Sequence, residues 1–366
     1  MKKYKESFYN LVIKKDNESN VLVYNTYSMA LCWFDKKTYS SFHNKKDIPE
    51  KNLNPEIIRL GFCVMNQFDE PNKVEYEKNI GIFNESPNEV QYIIAPTLKC
   101  NVKCKYCFEN LLREKEDMSL DVAKQVVDYI ISESEKNSNL KRLRIRWFGG
   151  EPTLKINIIK YISSKIIDYC SKRQIKYVSN IFSNGILLEN EIVGILTNEC
   201  QIHNTQITLD GARETYNSIK QVNYDAFEKV LKNIEDICDR INVTIRINIT
   251  KLNKEEIIPL CHALLNNEHI KNKIYIYFAN VRGYSYNDNL CYFTNEEYEV
   301  FKKELYSTLI SEGYGDSLKI ESLNYRMVIP CSSMQNKSVT IGPMGEIYRC
   351  ESLLGRDSYV IGDCIN

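Results

Sequence analysis

Histidine is scarce in this chain of 366 residues, with four in all: His43, His203, His262 and His269. None stands at a spacing that pairs with cysteines as a zinc ligand set. Net charge is also missing, since 48 basic residues balance 48 acidic ones. The basic excess of a nucleic-acid binder is therefore absent, and no nucleic-acid partner is expected. No window approaches 18 consecutive apolar residues, so neither a transmembrane helix nor a membrane partner is expected. The first ten residues, Met1 to Asn10, carry charge but no apolar stretch of a secretory signal, which points to a cytoplasmic location. Internal repeats and low-complexity tracts are lacking too. What remains is a globular protein of ordinary composition, 43% hydrophobic and 26% charged, long enough to bury a substantial core.

Cysteine, by contrast, is plentiful, with 13 residues. Without a signal sequence these are expected as metal ligands or buried thiols rather than disulfides. Cys32, Cys63, Cys170, Cys200, Cys238, Cys261 and Cys291 are scattered singly among apolar residues and read as small buried hydrophobes. The cluster Cys100, Cys104 and Cys107 and the C-terminal set Cys331, Cys350 and Cys364 stand apart.

Three regions separate along the chain. Residues 1–88 carry strand-like runs at Phe8–Ile13 and Val21–Tyr24. Helical stretches are expected at Tyr27–Asp35 and Pro55–Leu60, then a strand at Gly61–Asn66 and a linker at Phe83–Glu89. Residues 89–280 alternate six apolar runs (Val90–Ala95, Leu143–Phe148, Lys176–Phe182, Thr205–Leu209, Val243–Ile249, Ile274–Phe278) with helical patterns. Such alternation predicts parallel βα units, and six of them suit a partial (β/α)6 barrel better than a closed eightfold one. Residues 281–366 begin with an expected helix at Asn295–Ser311 and continue as a cysteine-containing segment punctuated by glycine.

The strongest chemistry lies directly after the first run of the βα region. Cys100, Cys104 and Cys107 are spaced C-x3-C-x2-C, so that three thiolates within eight residues can grip three irons of a cubane cluster. The fourth iron then has no protein ligand. A zinc site is the competing reading, but tetrahedral zinc needs a fourth ligand and usually pairs C-x2-C units or histidines, and the four histidines show no matching pattern. With Tyr106 as the aromatic residue before the last cysteine, this motif resembles that of the radical S-adenosylmethionine (SAM) superfamily. The resemblance implies a [4Fe–4S] cluster whose open iron chelates SAM, and reductive cleavage of SAM to a 5′-deoxyadenosyl radical.

Further segments resemble the same family. Gly149-Gly150-Glu151-Pro152 is similar to its GGEP motif, which implies a grip on the SAM amino group. Ser183-Asn184-Gly185 resembles its T/S-N-G, Thr208-Leu209-Asp210-Gly211 its S/T-x-D-G, and Arg246-Ile247-Asn248 its R-x-N. SAM contacts are implied for Tyr106, Gly149, Gly150, Glu151, Ser183, Asn184, Thr208 and Arg246. Where the family often carries an arginine beyond the S/T-x-D-G glycine, this chain has Lys220, which cannot copy a bidentate carboxylate grip.

Cys331, Gly345 and Cys350 form a C-x13-G-x4-C pattern that resembles the opening of a SPASM domain, which holds auxiliary [4Fe–4S] clusters. Cys331 and Cys350 are thus the implied ligands of a second cluster. The later cysteines of a full SPASM domain are absent, so a shortened or truncated domain is expected. Glu351 stands where sulfatase-maturating relatives place a catalytic aspartate, making it the candidate base. Residues 1–88 resemble in length and pattern the winged-helix domains that recognise leader peptides. The combined expectation is an α/β protein: a small N-terminal α+β domain, a partial radical SAM barrel and an incomplete SPASM-like segment. It would modify a ribosomally made precursor peptide by thioether formation, carbon–carbon crosslinking or epimerisation, with a flavodoxin- or ferredoxin-type electron donor. A formylglycine maturase of the sulfatase type, an enzyme of cofactor biosynthesis, and a non-catalytic metal- or peptide-binding protein are the alternatives.

Overall fold

A computed structural model describes residues 2–15, 20–83, 87–109, 117–281, 292–318, 331–335 and 337–364. The chain divides into two compact units, Met1–Asn84 with Glu321–Gln335, and Glu85–Ile320 with Asn336–Asn366.

The first unit carries strands β1 (Lys3–Glu6), β2 (Asn10–Lys15), β3 (Val21–Asn25), β4 (Leu31–Phe34), β5 (Ile48–Pro49) and β6 (Cys63–Met65), with helices α1 (Lys36–Phe42), α2 (Pro55–Arg59) and α3 (Glu70–Phe83). They form two antiparallel three-stranded sheets, β5-β1-β6 and β2-β3-β4. The helix expected at Tyr27–Asp35 is replaced by a turn and the strand β4. The Asn25 side chain accepts from the backbone N–H groups of Tyr27 (3.1 Å) and Ser28 (2.7 Å), which turns the chain before a helix can start. Leu31–Phe34 then pairs with β3. Phe34 meets Phe42 and Phe62 edge-on at 5.2 and 4.9 Å in a core that also holds Val23 and Ile57. The opposite face of β2-β3-β4 leaves Leu11, Leu31 and Trp33 about half exposed. Helix α3 had no signal in the sequence, because its apolar residues do not gather on one face.

The second unit holds the six predicted strands, now β7 (Glu89–Ile94), β8 (Arg142–Trp147), β9 (Lys176–Ser183), β10 (Ile202–Thr208), β11 (Asn242–Ile249) and β12 (Ile274–Asn280). Between them lie α4 (Leu120–Glu135), α5 (Ile156–Arg173), α6 (Asn190–Asn198), α7 (Arg213–Lys220), α8 (Ala226–Ile237) and α9 (Ile257–Leu265), followed by α10 (Asn295–Ser311). All neighbouring pairs from β7 to β12 are parallel and in sequence order. The C-terminal segment adds β13 (Ser338–Ile341), β14 (Glu346–Tyr348) and β15 (Gly362–Asp363). β13 lies parallel to β7, and β14 and β15 follow antiparallel, so one nine-stranded sheet results.

Period-two alternation fixes which side chains face inward. On β8, Leu143, Ile145 and Trp147 are fully buried among the helices, while Arg142, Arg144 and Arg146 take the other face. The singly placed cysteines 63, 170, 200, 238 and 261 are buried, as the sequence implied, and Cys32 is partly so. Cys291 lies outside the described residues. None of the twelve described cysteines is in a disulfide.

Candidate active site

The loop after β7 carries Cys100, Cys104 and Cys107, with Cys104 buried and the other two partly exposed. It is held by backbone hydrogen bonds from two sides and by a side chain at its base. Gly150 N–H donates to Thr97 O at 3.1 Å, and Glu151 N–H donates to Lys99 O at 2.9 Å. On the far side, Lys103 N–H and Lys105 N–H donate to Lys220 O and Ile219 O, each at 3.0 Å. The loop thereby caps the otherwise unsatisfied carbonyls at the end of α7. At its base, Asp117 accepts from Thr97 Oγ1 (2.6 Å) and pairs with Lys99 and Lys155.

The two glycines of the GGEP segment serve this packing. A Cβ at Gly150 would stand 2.1 Å from Lys99 O, and one at Gly149 would stand 2.4 Å from Thr97 O. Gly149 also has φ near +102°, a conformation that favours glycine. The close approach that these glycines permit is to the cysteine loop itself.

Glu151 is fully buried. Its Oε1 accepts from Thr153 N–H, Thr153 Oγ1 and Ser183 Oγ, and its Oε2 accepts from Asn184 N–H at 2.8 Å. Burial pushes the carboxyl above its ordinary value, against the pull of these donors. Glu151 thus ties the end of β8 to the end of β9. From there the Asn184 amide donates to Asn101 Oδ1 (2.7 Å) and points at the sulfur of Cys100, 3.7 Å away.

A second network lies beneath Tyr106. Its hydroxyl donates to Asp210 Oδ2 and accepts from Lys220 Nζ (3.2 Å) and Asn248 Nδ2 (3.1 Å). Lys220 also donates to Thr208 Oγ1 and Asp210 Oδ2, both at 2.9 Å. Asp210 Oδ1 accepts from Asn248 N–H, and Asn253 Nδ2 caps the backbone carbonyls of Asp210 and Asn248. Burial opposes the Lys220 charge, yet Asp210, Cys104, Tyr106 and Tyr216 together outweigh it and hold the ammonium well above its ordinary value. Burial and then Asp210 push the Tyr106 phenol well above its own. The sequence offered Asp210, Lys220 and Asn248 separately; their union, from the ends of β10, α7 and β11, was invisible to it. A cavity of about 320 Å³ opens beside this network, lined by Lys105, Tyr106, Thr215, Ser218 and Asn248 among others.

Inside the barrel, Arg246 Nε donates to Asn248 Oδ1 at 2.8 Å and its guanidinium lies 5.8 Å from the Tyr277 ring centre. Glu351 begins a short turn directly after Cys350, and its carboxylate acts on Arg146 of β8. Cys350 belongs to the same unit as the barrel, whereas Cys331 groups with the first unit. Cys364 donates its N–H to Gly345 O, and its thiol packs against the main core, where burial pushes it up to about 12.

Cys100, Cys104 and Cys107 offer three thiols from one short loop, a donor set that suits a cluster in which each sulfur meets its own iron. Among the described residues, the only His/Cys/Asp/Glu group whose ligand atoms converge within 4.8 Å is Cys238, Asp239 and His269, and Lys273 neutralises that aspartate at 2.8 Å.

Residues 94–264 match the family described as the radical SAM superfamily. A radical SAM cyclopropyl synthase, TigE, from Paramaledivibacter caminithermalis is 25% identical over 97% of this chain and 83% of its own length. A GTP 3′,8-cyclase of Clostridium perfringens is 28% identical over 62% of this chain and 65% of its own. Among solved structures, anSMEcpe with bound AdoMet and the Cp18Cys peptide aligns with a TM-score of 0.60 at 17% identity, over 75% of this chain and 77% of that one. Streptococcus suis SuiB bound to its precursor peptide SuiA aligns over 100% of this chain and 87% of its own, with a TM-score of 0.53 at 16% identity. Both share the fold.

Proposed function

From a chain that is a radical SAM enzyme, with its radical SAM domain over residues 94–264, we propose a more specific activity: modification of a ribosomally made precursor peptide. The observation that carries the first part is the cysteine loop, braced by Gly150 and by the Tyr106–Asp210–Lys220 network. Cys100, Cys104 and Cys107 would hold a [4Fe–4S] cluster, which would supply the electron for reductive cleavage of SAM.

The chain's own residues prepare the site. Glu151 and Ser183 fix the Asn184 amide against Cys100. Hydrogen bonds to a ligating sulfur stabilise the reduced cluster and raise its potential. Tyr106 and Lys220 keep the third cysteine in place, and the cavity beside Tyr106 offers room next to the loop for part of SAM. Glu351, acting on Arg146, stands as the base that takes a proton from the peptide intermediate.

The peptide substrate is supported by the peptides bound to the fold relatives anSMEcpe and SuiB, and by the exposed apolar face of the first unit. Leu11, Leu31 and Trp33 project from a sheet whose edge strand β4 has one side unpaired within the sheet. A leader segment adding there as a strand would bury that face. Cys331 and Cys350 would hold an auxiliary cluster, and a flavodoxin or ferredoxin would deliver electrons.

Anaerobic reconstitution tests the core of this reading, with iron and sulfide counted and 5′-deoxyadenosine followed after SAM and reductant are added. The wild type should produce deoxyadenosine, and the Cys100→Ala/Cys104→Ala/Cys107→Ala variant none. A wild type with a fully rebuilt cluster and no deoxyadenosine would sink it. Iron retained by the triple variant would reveal the auxiliary cluster.

A further inference from the structure

Three chemically different ligand atoms converge at the far end of the parallel strands from the cysteine loop. Cys238 caps the end of α8 and Asp239 follows it, while His269 stands in the turn that leads from α9 into β12. The Cys238 sulfur, a carboxylate oxygen of Asp239 and a ring nitrogen of His269 all lie within 4.8 Å of one another. Helix α8 ends just before β11 begins, and the turn ends where β12 begins. The group therefore sits at the N-terminal ends of the strands, opposite the end where a parallel barrel displays its catalytic loops.

Both segments are held in place by the protein itself. Ile270 is fully buried and pins the turn to the core. Asn267 Oδ1 accepts from His269 N–H at 3.0 Å, and the Asn267 amide donates to Glu235 Oε1 of α8 at 2.6 Å. Cys238 Sγ lies 3.8 Å from His269 O. The spot also attracts positive charge, because Lys273 Nζ stands 2.8 Å from Asp239 Oδ1 and 3.1 Å from Oδ2. The unsatisfied carbonyls at the C-terminal end of α8 favour a cation in the same place. The exposed His269 ring makes no hydrogen bond among the described residues.

We propose that Cys238, Asp239 and His269 form a site for one zinc-class divalent cation, which clips the end of α8 to the turn before β12. The donor set decides the class. Calcium and magnesium take oxygen ligands, whereas a thiolate, an imidazole and one carboxylate suit zinc. Tetrahedral zinc with bonds of about 2.0–2.3 Å keeps its ligands roughly 3.3–3.8 Å apart, so the group closes by about 1 Å on binding. Water takes the fourth position, from the solvent that reaches Asp239 and His269. The ammonium of Lys273, on a side chain one-third exposed, swings away as the metal replaces it. Burial pushes the Cys238 thiol up in the free protein, so capture of the metal releases its proton to solvent. This site is independent of the peptide reading.

The test is zinc retention by the reconstituted holoenzyme, with zinc and iron counted after gel filtration. The wild type should keep one zinc per chain with its iron unchanged, and added zinc should raise its melting temperature. His269→Gln and Cys238→Ser should lose both effects, and exposure of His269 makes its variant harmless to the fold. Lys273→Gln removes the competing ammonium. In competition with a chromophoric chelator it should hold zinc about fivefold tighter, the worth of a surface ion pair. A wild type without zinc, equal retention by His269→Gln, or no gain in Lys273→Gln would each overturn the proposal. Loss of iron as zinc enters would place the metal in the cysteine loop, with the same result. Deoxyadenosine formation should not respond to the zinc, which keeps this outcome apart from that of the radical SAM assay.

Discussion

Lys220 and Asp210 form an ion pair sealed from solvent, with Nζ 2.9 Å from Oδ2 and side-chain exposures of 1% and 0%. Around it gather Tyr106 from the cysteine loop, Thr208 from β10 and Asn248 from β11. The pair is a keystone between the loop and two strands, and it accounts for a lysine where the family often has an arginine. Held this way, Lys220 positions Tyr106 rather than reaching for a ligand.

Replacing one partner strands the other charge. Lys220→Met should cost about 3–5 kcal/mol, the usual penalty for breaking a buried pair. The double variant Lys220→Met/Asp210→Asn should recover much of that loss. Urea denaturation of the three proteins measures both effects. A single variant as stable as the wild type would show that the pair does not anchor the loop.

Gly150→Ala puts a methyl carbon where Lys99 O stands 2.1 Å away. The loop must move, because neither partner is a flexible side chain. Iron and sulfide content after reconstitution should collapse while the circular dichroism of the barrel stays the same. Full loading of this variant would mean that the loop tolerates displacement.

Asn184→Ala removes the amide aimed at Cys100. The cluster's reduction potential should move negative, because the reduced state loses a hydrogen-bond donor at sulfur. A redox titration followed by electron paramagnetic resonance reads the shift. No change would reassign Asn184 to bracing Asn101 alone.

Stability should fall on the alkaline side. Burial pushes the thiols of Cys170 and Cys261 up to about 12, from 9.0 in an ordinary setting. In the native state these thiols keep their protons where the unfolded chain loses them. Stability is therefore complete below pH 9 and declines as pH rises through the native values. Urea midpoints at pH about 8 and about 11 test this. A Cys170→Ala/Cys261→Ala variant should show a shallower decline.

Much of the barrel was legible because its strands are buried on the outer face and strongly apolar. The run Val243–Ile249 corresponds to β11 nearly residue for residue. Helix α10 was equally clear, opening on a capping box of Thr294 and Glu297. What the sequence hid depended on partners far away in the chain. Helix α7 is eight residues of mostly polar composition, and its purpose shows only when Lys103 and Lys105 are seen to cap it. Strand β4 looked helical because the Asn25 turn that precludes a helix leaves no mark in periodicity. The glycines of GGEP were read as room for a ligand, whereas the structure fills that room with Lys99 and Thr97.

The parallel pairing of β13 with β7 has a consequence in time. Ala95 N–H, five residues before Cys100, donates to Ile341 O across a separation of about 250 positions along the chain. During synthesis the strand that launches the cysteine loop therefore waits with one edge bare until Ile341 has left the ribosome. A nascent intermediate stalled before Ile341 exposes both an open sheet edge and unguarded thiols.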